Sequence, residues 1–191
     1  MGQAAASAYV TLEDYFEGEV DASHDAPRHE WSDGVVYAMS RGTPEHARLI
    51  ARATALLARA LPPSCQPYAS DLMLFVASAN LSTYADLSVV CGPLETVTVR
   101  KAGRSLGQAV TNPTLLLEVL SESTERYDRD GKFQAYKQIA TLREYVLVSQ
   151  YERRIEIFRR VDDWSGEVAG PGQRMCVHGV DLEVDSLYES A

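Results

Sequence analysis

Leu115-Leu116-Leu117-Glu118-Val119-Leu120 is an almost unbroken aliphatic run with one carboxylate inside it. A short apolar run without polar alternation reads as a strand covered on both faces, at the centre of a sheet. Glu118 then stands where an ionised group is costly unless a cation or a hydrogen-bond network satisfies it. The alternative is a register that turns Glu118 to solvent at a strand end. A second carboxylate of this kind occurs in Tyr84-Ala85-Asp86-Leu87-Ser88-Val89-Val90, at the head of another apolar strand, where an ordinary turn residue is the alternative. Two carboxylates on adjacent strands suit a hard divalent cation, Mg²⁺ or Mn²⁺, which takes one or two carboxylates and keeps room for water and phosphate oxygens.

Outward from these strands the pattern is mixed. Thr11 with Asp14 forms a capping box, and a short helix should follow to about Glu19. Trp31 to Met39, around Asp33-Gly34, reads as a hairpin or as a helix end feeding a strand. A helix opens at Thr43-Pro44, carries Ala47, Ile50, Ala53, Leu57 and Leu61 at helical spacing, and stops at Pro62-Pro63. Strands are expected at Cys65 to Ala69, Leu72 to Val76, Ala85 to Cys91, Thr96 to Arg100 and Tyr145 to Val148, with a half-exposed one around Ile155 and Ile157. Residues 101–110 read as a basic loop and 162–172 as a loop. A helix should span roughly Arg126 to Ala140, and the chain should end in a strand and a helical turn near Leu187. The expected class is α/β, a mixed β-sheet flanked by helices.

The 191 residues suit a single domain over 9–191, preceded by a flexible tail over 1–8. No apolar run approaches the length of a spanning helix and no secretory signal pattern opens the chain, so the expected setting is cytoplasmic. Cys65, Cys91 and Cys176 are far apart and odd in number, which makes neither a disulfide framework nor a zinc pattern; buried reduced thiols are expected. The net charge of -9 argues against an extended electrostatic grip on duplex DNA.

Lys132 stands four residues after Asp128 and four before Tyr136, so it shares a helical stripe with Tyr136 and lies near Ile139. If that stripe packs on the sheet, the lysine is angled inward and suits stabilisation of a phosphoryl charge; a surface ion pair with Asp128 is the alternative. His46 shares a stripe with Ile50, Ala53 and Leu57, which favours a satisfied buried histidine over a catalytic one. Lys101, Arg104, Arg153 and Arg154 are basic concentrations suited to phosphate contacts or to solvated sheet edges.

Taken in order, Arg28 to Met39, Thr43 to His46, Tyr84 to Cys91, Leu117-Glu118-Val119-Leu120-Ser121-Glu122-Ser123-Thr124, Asp128 to Lys132 with Tyr136, and Leu142 to Val148 resemble the Uma-two family of restriction endonuclease-like proteins over about residues 9–188. The resemblance implies a PD-(D/E)XK nuclease fold with a restriction endonuclease-like core. It implies Asp86 and Glu118 as ligands of Mg²⁺ or Mn²⁺, the Val119 carbonyl facing the metal, Lys132 as the catalytic lysine with Lys137 in reserve, and Glu30, an otherwise idle exposed carboxylate, as a further acidic site residue. His46 and Tyr136 would be auxiliary. Ala85 replaces the proline of the family pattern before the aspartate, and Leu120 stands where a lysine usually follows the glutamate. The implied activity is endonucleolytic hydrolysis of nucleic acid, DNA foremost, by a homodimer; the rival is an inactive nucleic-acid-binding or protein-interaction module on the same fold.

Overall fold

The computed structural model describes residues 9–23, 26–40 and 42–189; the expected tail over 1–8 lies outside them. Helix α1 (Leu12–Asp21) begins where Thr11 Oγ1 accepts the Asp14 N–H at 3.1 Å, and it buries Tyr15 and Phe16. Strands β1 (His29–Ser32) and β2 (Val35–Ala38) form a hairpin through Asp33 and Gly34, at φ 46° and 86°. Two successive positive φ values are what a tight two-residue hairpin turn requires, so the hairpin alternative holds. Helix α2 (Pro44–Ala60) starts at Thr43, whose Oγ1 accepts the His46 N–H at 3.1 Å, and buries Leu49, Ala53 and Leu57.

The remaining strands are β3 (Cys65–Ala69), β4 (Met73–Val76), β5 (Leu81–Tyr84), β6 (Leu87–Cys91), β7 (Thr96–Lys101), β8 (Arg104–Val110), β9 (Leu115–Leu120), β10 (Glu144–Ser149), β11 (Ile155–Arg159), β12 (Gly166–Ala169), β13 (Arg174–Val177) and β14 (Val180–Glu183). They form two mixed six-stranded sheets rather than one. The first runs β2-β1-β5-β4-β8-β7 and the second β12-β11-β10-β9-β6-β3, with β13-β14 a separate hairpin followed by a last helix (Val184–Tyr188). Among the described residues, parallel pairing is confined to β9 with β10 and to a single contact of β4 with β8.

Strand β9 is buried at all six positions, with β10 on one side and β6 on the other. Its two-residue period splits the core. Leu115, Leu117 and Val119 pack with Leu49, Ala53 and Leu57 of α2. Leu116 and Leu120 face the other way, onto Tyr136, Ile139 and Leu142 and onto Leu74, Leu81 and Val110 of the first sheet. Glu118 is on this second face, 3% exposed, and does not turn to solvent.

Several expectations are corrected. β8 and β12 are strands where loop was expected, and β5, short and polar in sequence, is a strand in a stretch to which no element was assigned; β8 carries Gly107 at φ 145°, and β12 is an edge strand with one buried residue. β11 is not half-exposed, because Arg129 covers Glu156 on its outer face. The expected helix over 126–140 is α3 (Glu125–Tyr127), a π-helical turn (Asp128–Lys132) and α4 (Phe133–Tyr136), ending four residues early. Cys65 and Cys91, directly opposed in the β3–β6 register, are joined by a disulfide, while Cys176 is free and exposed. A separation of 26 residues gives no hint of that register. Among the described residues, no helix is long and apolar enough to cross a membrane.

Candidate active site

Ala85 and Asp86 are the two residues between β5 of the first sheet and β6 of the second. The β6–β9 ladder ends at Leu87 opposite Leu117, so Val119 lies beyond it. Asp86 takes over the pairing: its Oδ2 accepts the Val119 N–H at 2.7 Å, and its own N–H donates to Glu118 Oε2 at 3.2 Å. A strand residue directs its N–H and C=O to the same edge, so the Val119 carbonyl lies on the Asp86 side. His46, at the N-terminal end of the buried stripe of α2, places Nε2 3.1 Å from Asp86 Oδ2. The Asp86 hydrogen bond holds the imidazole above its ordinary range despite partial burial.

The helical segment supplies the cation. Lys132 Nζ lies 3.2 Å from Glu118 Oε1, 3.0 Å from Glu30 Oε1 and 3.7 Å from Asp128 Oδ1, and donates to the Tyr84 carbonyl at 3.2 Å. The Tyr136 hydroxyl donates to Glu118 Oε1 at 3.0 Å, and Thr83 Oγ1 donates to Glu30 Oε1 at 2.5 Å. Glu30 is 7% exposed, so it is neither idle nor exposed. The π-helical turn widens one turn of backbone at this point, a feature frequent at functional sites, and Gly131 leaves room there for the Tyr127 ring.

The charge balance is uneven. Glu30, Asp86, Glu118 and Asp128 meet one ammonium and one imidazole. Burial raises the Glu118 carboxyl well above its ordinary range; Lys132 opposes this, and Asp86, Asp128 and Glu30 add to it. Burial likewise raises Asp128, whose Oδ1 has no hydrogen-bond partner. Burial alone would lower Lys132, but Glu118, Glu30 and Asp128 outweigh it and keep the side chain an ammonium. A second cation would relieve this excess, and the donors at hand are hard oxygens: Asp86, Glu118 and the Val119 carbonyl. The residues therefore fit a Mg²⁺- or Mn²⁺-class ion.

These groups open on a cavity of about 790 Å³, lined by Glu30, His46, Asp86, Glu118, Asp128 and Lys132, with Tyr37, Tyr84, Tyr127 and Tyr151 also on its walls. Tyr136 reaches it through Glu118. Lys137 does not line it; its Nζ lies 4.9 Å from the Phe133 ring centre. Lys101 pairs with Asp14 and Glu17, and Arg104 with Asp21. Arg153 pairs with Asp185 and Arg154 with Glu156. None of these four lines the cavity, and among the described residues no arginine does. Asp128 was visible in the sequence only as a partner of Lys132, while Thr83 and the Tyr84 carbonyl carry no signal of their own.

The comparisons agree with this architecture. The Uma2 family model, described as "Putative restriction endonuclease", matches residues 12–178. "Uncharacterized protein slr1290" of Synechocystis sp. (strain ATCC 27184 / PCC 6803 / Kazusa) is 34% identical over 155 residues, 81% of this chain and 76% of that protein. "Uncharacterized protein sll1609" of the same strain is 29% identical over 164 residues, 83% and 85% of the two chains. In fold, the chain is similar to the crystal structure of a "putative nuclease belonging to DUF820" from Anabaena variabilis ATCC 29413. The TM-score is 0.69 at 14% identity, covering 91% of this chain and 96% of that one. With a nuclease-like fold and a family match across most of its length, the chain belongs to the Uma2 family.

Proposed function

We propose that the chain is a metal-dependent endonuclease that hydrolyses phosphodiester bonds of nucleic acid, with DNA as the foremost substrate. The observation that carries this reading is the reciprocal bonding of Asp86 with the Glu118-Val119 segment, with Lys132 buried against Glu118 at the wall of the cavity. Asp86, Glu118 and the Val119 carbonyl would hold Mg²⁺ or Mn²⁺. Bound there, the ion would act as a Lewis acid toward phosphoryl oxygen and acidify water.

The chain's own groups do the rest. Lys132 presents a fixed positive charge next to Glu118, where charge develops on a phosphoryl oxygen, at little reorganisation cost. Tyr136 and the Asp86 N–H fix the two Glu118 oxygens in place. His46 orients Asp86 from the outside. Glu30, fixed by Thr83, positions Lys132. A two-fold homodimer would present two such sites to the two strands of a duplex.

The test is a cleavage screen of duplex DNA, single-stranded DNA and RNA in Mg²⁺ and in Mn²⁺, with Asp86→Asn, Glu118→Gln and Lys132→Met as controls. Cleavage that each substitution abolishes supports the reading. The second reading, an inactive binding module, is favoured by a specific observation: both Glu118 oxygens and the Lys132 ammonium are already engaged by protein groups. Nucleic-acid binding without turnover in either metal, unchanged in the three variants, would select it.

A further inference from the structure

The disulfide has neighbours that a disulfide does not need. His178 Nε2 lies 3.1 Å from Cys91 Sγ, and Thr114 Oγ1 lies 3.4 Å from the same sulfur and 3.2 Å from Nε2. Neither sulfur of a disulfide carries a proton or a charge, so an imidazole nitrogen aimed at one gains little. His178 is nonetheless held in position. It sits at φ 52° in the turn of the β13–β14 hairpin, followed by Gly179 at φ 80°, and its N–H donates to Glu144 Oε2 at 2.6 Å. Its side chain is 8% exposed, and Nδ1 lies 4.0 Å from the same carboxylate oxygen, the side on which metal-binding histidines commonly meet a carboxylate.

We propose that Cys65 Sγ, Cys91 Sγ and His178 Nε2 form, in the dithiol state, a site for one soft divalent cation of the Zn²⁺ class. The three ligand atoms already lie within 4.8 Å of one another. Two thiolates and one imidazole are a soft donor set unlike the oxygen-rich set at Asp86. Three protein ligands leave the fourth tetrahedral position to water. Cys91 ends β6, the strand that Asp86 precedes, so this site lies at the opposite end of that strand. It would tie the β13–β14 hairpin to the β3–β6 edge.

The chemistry balances. A dithiol reductant donates two electrons and two protons to the Cys65–Cys91 bond and leaves as its own disulfide. Cation binding then releases the two thiol protons to solvent, and the imidazole binds as a neutral donor. The spacing of Cys65, Cys91 and His178 matches no compact zinc motif, which is why sequence reading passes over it.

The test uses the full chain, reduced with a dithiol, freed of reductant without oxygen, and titrated with Co²⁺. One thiolate-bound Co²⁺ per chain is expected, with thiolate-to-cobalt charge-transfer absorption and visible bands of tetrahedral geometry that a Co²⁺ held by the oxygen donors at Asp86 would not give. Both should vanish on reoxidation and in Cys65→Ser and Cys91→Ser, and persist in Asp86→Ala. His178→Ala keeps both thiols and decides the case if the cysteine variants fail to fold: a weakened, shifted spectrum supports the site. No charge-transfer band in the reduced chain, or a spectrum that His178→Ala leaves unchanged, overturns it.

Discussion

Lys132→Met removes the cation against which three buried carboxylates are arranged. Its Nζ lies 3.0 Å from Glu30, 3.2 Å from Glu118 and 3.7 Å from Asp128, and the three side chains are 9%, 4% and 3% exposed. Removing one partner of a buried ion pair costs about 3–5 kcal/mol, a large part of the roughly 5–15 kcal/mol that holds a domain together. For a chain of this size that lowers the thermal midpoint by about 6–20 °C. The cost should depend on pH with a definite sign. Glu118 and Asp128, already raised by burial, lose the ammonium that opposes this and take up protons in the folded variant, so their folded pKa values lie above the unfolded ones. Folding then binds protons, and the variant's stability falls as pH rises above the ordinary carboxylate range. Urea unfolding of both proteins at roughly pH 5 and roughly pH 8 should show the smaller gap at the acidic value. Combining Lys132→Met with Glu118→Gln should recover part of the loss. A gap below about 1 kcal/mol at both pH values would mean that Lys132 is not the counterion of this cluster.

Tyr136→Phe keeps the buried ring but deletes the donor to Glu118 Oε1; a loss of about 1–3 kcal/mol in chemical denaturation is expected. Gly131→Ala puts a methyl 2.7 Å from the Tyr127 ring, which must swing; ligand affinity at the cavity should fall, while the unfolding free energy changes by less than about 1 kcal/mol. Arg129 holds the Glu156 carboxyl below its ordinary value of 4.5, so this pair stabilises the fold above that value and the contribution is lost as pH falls through the folded pKa. Glu156→Gln should therefore flatten the acid side of the stability profile, read by thermal melts across pH. Among the described residues Lys132 and His46 are the only basic side chains on the cavity wall, and the chain carries a net charge of -9, so nucleic-acid affinity should vary weakly with monovalent salt, well short of the slope of a protein making about 6–10 phosphate contacts, and strongly with Mg²⁺ or Mn²⁺.

Much of this was legible because its signals are local. Thr11, Thr43 and Pro44 mark helix starts through their own backbone, and the apolar run around Glu118 announces a central strand by length alone. The resemblance brought Asp86, Glu118, Lys132 and Glu30 to one place. What escaped depends on register or on partners remote in sequence. Glu30 reads as exposed because nothing nearby in sequence shows Thr83 and Lys132 closing over it. The Cys65–Cys91 pairing follows only from the alignment of β3 with β6, and the widened turn at Asp128–Lys132 has no sequence period of its own. The division into two sheets escaped for the same reason, since connections of two to four residues between strands read alike whether the chain stays in one sheet or changes sheet.

The connection through Ala85 and Asp86 is the shortest of these crossings. Because Asp86 is bonded to the Val119 N–H while Tyr84, two residues earlier, belongs to the other sheet and bonds Lys132 through its carbonyl, the site works as a vernier between two plates. A slip of the plates by a few tenths of an ångström would move Asp86 and the Lys132 anchor together relative to Glu118. Conversely, whatever fastens the two carboxylates to each other rivets the plates. Occupancy of the cavity should then slow amide exchange in β1 and β5 as much as in β6 and β9, although β1 contributes no more than Glu30 and Ser32 to the cavity wall.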